Sequence, residues 1–134
     1  MKIDMFIAIC ILLCIMFLVI GVKYFLKKAF LKDKKCESLK EQQLKCLCFD
    51  SSIETKIISE VYKSIEKYFK IKSCYLTPND KMIQFHNLDS FSLHENYEDF
   101  IEEIEVQYGV NNLELNDRLI DIIIKIQKNM KDEI

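Results

Sequence analysis

From Met5 to Val22 the chain reads MFIAICILLCIMFLVIGV, eighteen residues in a row without a charge or a strongly polar side chain. In hydrocarbon a backbone must satisfy its own hydrogen bonds, so a run of about 20 apolar residues has one form available to it, a helix that spans the bilayer. Tyr24, Phe25 and Leu26 extend the run into the interface and Lys23 reaches back to water. The segment predicts a transmembrane anchor over residues 1–26. A secretory signal peptide is the competing reading. It would have a shorter apolar core, a more basic start and a small-x-small end, whereas the nearest small residue here is Gly21.

Six lysines follow between Lys23 and Lys35, while on the other flank Lys2 and the terminal amine offset Asp4. The positive-inside rule then predicts a single pass through an inner membrane, with a short N-terminus outside and the C-terminal domain in the cytoplasm. In that compartment thiols stay reduced, so Cys36, Cys46, Cys48 and Cys74 are expected free, and Cys10 and Cys14 act as small hydrophobes in the anchor. Cys46 and Cys48 with Cys36 match no usual zinc spacing, and His86 and His94 are distant, so no metal site is expected.

The net charge of −2 hides an uneven distribution. Residues 1–50 carry nine lysines and five acids, and residues 51–134 carry ten basic residues and sixteen acids. A basic stretch beside an anchor suits lipid headgroups of the bilayer. An acidic domain without a basic patch excludes nucleic acid as partner.

Residues 27–50 are charged, free of Gly and Pro, and read as a helical or semi-ordered basic stalk. The acidic domain is expected over 51–134. Ile53, Ile57, Ile58, Val61, Tyr62, Ile65, Tyr68 and Phe69 recur at three- and four-residue spacing, which predicts a helix over 53–70 capped by Ser51 or Ser52. Pro78 with Thr77, Asn79 and Asp80 makes 72–87 a long loop. A second helix is expected over 93–108, opened by a capping box of Ser92 and Glu95 and closed by Gly109, and a last one over 117–131. The pattern contains no repeat, no low-complexity tract and no alternating strand signal. It predicts an all-α protein, an N-terminal transmembrane helix followed by a small three- or four-helix bundle.

Between Met82 and Asp117 there are nine acids and no Lys or Arg, and seven of the acids lie within Asp89–Glu105. A helix face of one sign can be an ordinary solvated surface or a docking surface for a basic protein. No arrangement of Ser, His or Cys fits nucleophilic catalysis, and two glycines leave no phosphate-cradling loop, so no enzyme is expected.

"SSIETKII", then a loop with "LTPND", then "LDS" ahead of "FIEEIEVQYGV", resembles the acyl carrier protein superfamily, including a bacterial carrier-like branch of unknown function. Asp89 and Ser90 match the first two positions of its Asp-Ser-Leu motif, with Phe91 where leucine is usual. The resemblance implies a bundle that catalyses nothing itself. It implies 4′-phosphopantetheine on the Ser90 hydroxyl, and docking of a phosphopantetheinyl transferase or acyl-processing enzyme against Asp89, Glu95, Glu98, Asp99 and Glu102. The alternative is a membrane-anchored accessory or immunity protein that holds a basic partner on the same acidic helix. In that case Asp89, Ser90 and Ser92 only start a helix.

Overall fold

The structure is a computed structural model describing residues 2–89 and 95–132, and the chain divides into two units, Met1–Lys32 and Asp33–Ile134. The first unit is one helix, α1 (Lys2–Leu31), long and apolar enough to cross a membrane, with none of its apolar stretch buried by protein.

The second unit holds α2 (Leu39–Phe49), α3 (Thr55–Phe69), a 3-10 turn (Ser73–Tyr75), α4 (Met82–Leu88), α5 (Asn96–Tyr108) and α6 (Leu119–Asp132). No strand occurs among the described residues, so the all-α bundle expected from the periodicity is the observed architecture. α3 lies at the centre, against α2, α5 and α6. Its stripe of Ile57, Ile58, Val61, Tyr62 and Ile65 is buried as the spacing predicts, and α6 answers it with Leu119, Ile120, Ile122, Ile123 and Ile126. Phe69 joins a cluster with Phe85 and Phe100 at ring separations of 5.4 and 5.7 Å, which ties α3, α4 and α5 together.

Residues 33–50 are not a stalk. α2 buries Cys46 and Gln42, and the Gln42 amide donates to the carbonyls of Ser73 and Leu76. Lys34 donates to Asp80 Oδ1 at 2.6 Å. The segment shows no apolar stripe in its sequence because its leucines are sparse and much of what docks it is polar. Cys36 and Cys74 are also not free thiols. The Glu37 N–H donates to the Cys74 carbonyl at 2.9 Å, which brings the two Cα atoms to 4.7 Å, and a disulfide joins them.

Helix starts differ as well. Ser51 and Ser52 do not cap α3; Ser52 turns onto Asp50 Oδ1, and Glu54 stands at the cap while its N–H is taken by the buried amide of Gln127 at 3.0 Å. α5 begins three residues later than expected, with Glu95 at the cap rather than inside the first turn, and Ser92 of the expected capping box lies outside the described residues. Gly109 does end α5 in the left-handed conformation, at φ 68°.

The expected long loop contains α4, and the start of α4 pairs with the start of α6. Lys81 and Arg118 form an antiparallel bridge. Met82 and Ile83 donate their N–H groups to the carbonyls of Asp117 and Leu115, and Leu119 and Ile120 donate theirs to Asp80 and Pro78. Two helix starts thus satisfy each other's free donors. The carboxylates repeat the relation, since Asp80 accepts from the Thr77 N–H at 2.8 Å and Asp117 from the Glu114 N–H at 2.9 Å. Every pair is shifted by 37 positions (119 against 82), so Pro78-Asn-Asp-Lys-Met-Ile83 and Leu115-Asn-Asp-Arg-Leu-Ile120 are equivalent halves of a pseudo-symmetric pair, a short internal repeat where none is expected from the sequence.

Candidate functional site: the acidic face of α5

α5 is amphipathic, with Phe100 and Ile104 fully buried against the bundle. At about 100° per residue, these anchors turn Glu95, Glu98, Asp99 and Glu102 outward, and all four are exposed. Glu103, on the flank, is engaged within the protein: Ser64 Oγ donates to its Oε2 at 3.0 Å, and Lys67 lies 3.4 Å from its Oε1. The ion pair raises the Lys67 pKa. Four of the carboxylates expected from the sequence as docking residues are therefore brought to one face, and none of the four forms an ion pair among the described residues.

The crowding of like charges is visible at the head of the helix. A hydrogen bond shared with Glu98, then the charges of Glu98, Asp99 and Asp89, push the Glu95 carboxyl above its ordinary value. At the other end of the face stands Val106, 78% exposed. With Tyr68, Asp99, Glu102 and Glu103 it lines a shallow depression of about 330 Å³. Val106 is no part of the docking set expected from the sequence, yet it falls off the apolar stripe of Tyr97, Phe100, Ile101, Ile104 and Tyr108, which is the signal that marks it.

Asp89 is placed differently from the other acids. It ends α4, and its Oδ2 accepts the Tyr97 N–H at 3.1 Å in the first turn of α5, so it bridges two helices instead of facing outward. Tyr97 packs edge-on to the exposed His86 at 5.1 Å, and burial raises its pKa. Ser90, the expected attachment point, lies outside the described residues, as do Phe91, Ser92 and His94.

The cysteines do not gather. Cys36 is bonded to Cys74, Cys48 is exposed, and Cys46 is buried 3.4 Å from the Tyr62 hydroxyl. Burial raises the Cys46 thiol pKa against a smaller lowering from that hydroxyl, so the thiol stays protonated and poorly nucleophilic. No family model, curated protein or solved structure matches the chain.

Proposed function

We propose that the protein is a single-pass, membrane-tethered docking module that holds a basic protein partner on the outward face of α5. The observation that carries the reading is the exposure of Glu95, Glu98, Asp99 and Glu102 together. Such a face attracts a complementary surface over distance and sets its orientation. The exposed Val106 and the depression beside it add a dry contact at one end of the charged row, where an apolar side chain of the partner gains more than a screened rim charge does. The module catalyses nothing itself. The tether is α1, and the lysines that follow it suit the headgroups of the bilayer.

The reading is tested with the full chain in membranes, captured from its host at low and at high salt and compared with a Glu98→Gln/Asp99→Asn/Glu102→Gln variant. A partner retained at low salt, released at high salt and lost in the variant is expected. A partner held equally by both proteins sinks the reading.

The position of Asp89 favours a second reading, the carrier one. Its bond to the Tyr97 N–H ties the end of α4 to the first turn of the acidic helix. In this version Ser90 carries a 4′-phosphopantetheine arm, and a transferase and acyl-processing enzymes dock on the acidic face. This version needs the domain in the cytoplasm, which the lysines after α1 favour. Co-expression with a broad-specificity phosphopantetheinyl transferase should add the mass of one phosphopantetheine group to the intact chain and not to Ser90→Ala. An unchanged mass removes this version and leaves the docking one standing.

A further inference from the structure

We infer that the second unit folds and works on the oxidising side of the membrane, where the Cys36–Cys74 disulfide is a permanent staple. The bond joins two backbones that other groups already hold together. Glu37 N–H meets Cys74 O at 2.9 Å, Lys34 reaches Asp80 and the Tyr75 carbonyl, and Gln42 reaches Ser73 and Leu76 on the same stretch. The two thiols therefore face each other in the folded chain without rearrangement, at a Cα separation inside the ordinary disulfide range. Forming the bond releases two protons and passes two electrons to a disulfide-bearing oxidoreductase, whose own disulfide becomes a dithiol.

Solvent access decides the compartment. Cys36 is an exposed residue, so the bond lies at the surface of the unit, where thiolates in solution can reach it. Cytosolic glutathione and thioredoxin keep such pairs reduced, while an extracytoplasmic compartment keeps them joined. The lysines between 23 and 35 favour the opposite orientation, and it is the bonded pair of Cys36 and Cys74 that argues against them. On the oxidising side the acidic face of α5 points at partners outside the cytoplasm, which favours the docking reading over the carrier one.

Thiol counting on the full chain in its host membrane tests this. Cells are quenched in acid, the chain is denatured, and a polymer-bearing maleimide is added with and without prior reduction. Four thiols, Cys10, Cys14, Cys46 and Cys48, should react without reduction and six after it. In Cys36→Ser/Cys74→Ser the count should be four in both arms. In parallel, a membrane-impermeant maleimide should label the exposed Cys48 on unlysed cells stripped of any outer layer. Six reactive thiols without reduction overturn the inference, and so does Cys48 labelling that requires lysis.

Discussion

Opening the Cys36–Cys74 bond removes a cross-link between residues 38 positions apart. In the chain-entropy account, a loop of that length lowers the entropy of the unfolded ensemble by about 13 cal/mol/K, so its loss costs about 4 kcal/mol at 25 °C. For a unit of this size that corresponds to a fall of roughly 20 °C in Tm. The polar ties of Lys34, Glu37 and Gln42 remain in the folded state, so the change falls mainly on the unfolded chain. Urea denaturation of the full chain in detergent suits the measurement, followed by tyrosine fluorescence, since there is no tryptophan and the buried Tyr62 reports on α3. Two perturbations should agree: reduction of the wild type, and Cys36→Ala/Cys74→Ala. A common loss below about 1 kcal/mol refutes the cross-link argument, because no chain-entropy estimate for this separation is so small. A large loss in the variant alone assigns the effect to packing at the two sites.

Phe100→Ala removes a fully buried ring from its edge contacts with Tyr68 and Phe69 and should cost about 3–5 kcal/mol, read from the same urea midpoints. Asp80→Asn keeps the shape but loses the 2.6 Å ion pair with Lys34, whose side chains are 7% and 13% exposed, and should cost about 2–3 kcal/mol. Tyr62 has its phenol pKa raised by burial first and then by the neighbouring Cys46, so the folded state keeps the proton that the unfolded chain gives up above about pH 10. Its contribution to stability is complete below that pH and declines above it by about 1.4 kcal/mol per pH unit, a slope that Tyr62→Phe should remove from midpoints measured between about pH 9 and 11. Glu98→Gln, Asp99→Asn and Glu102→Gln, made on an exposed face, should each move stability by no more than about 0.5 kcal/mol, and a larger loss would mean that the face is structural.

The elements legible in the sequence are those whose side chains sort by polarity over three or more turns. α3 and α6 show their buried isoleucines at helical spacing, and α5 shows Phe100 and Ile104 against its acids, so the exposed carboxylates could be named before their geometry was known. α4 covers seven residues and buries two of them, Met82 and Phe85, too few for a period to stand out from a loop that contains Pro78. α2 was hidden for a different reason. Its docking uses an amide, an ion pair and a covalent bond, none of which shows as apolar spacing, and the lysines after α1 point to a compartment in which Cys36 and Cys74 are expected as free thiols.

The pairing of α4 with α6 rests on a short likeness between two loop segments. Asn79-Asp80 and Asn116-Asp117 each precede a basic residue and two apolar ones, a likeness too short to register as a repeat. In the fold each aspartate accepts a backbone N–H three residues before it, and each is met by a lysine, Lys34 for Asp80 and Lys125 for Asp117. A seven-residue helix has little stability of its own, since most of its N–H and C=O groups are terminal. α4 persists because α6 takes two of its donors and returns two, and because Phe85 closes the aromatic cluster beneath α5. Asp89, at the end of α4, can then hold the Tyr97 N–H, so the start of the acidic helix is set by a chain of contacts that begins at the Lys81–Arg118 bridge. Loss of the Asp89 carboxylate frees the head of α5 most directly, and loss of the bridge acts at one remove, through α4.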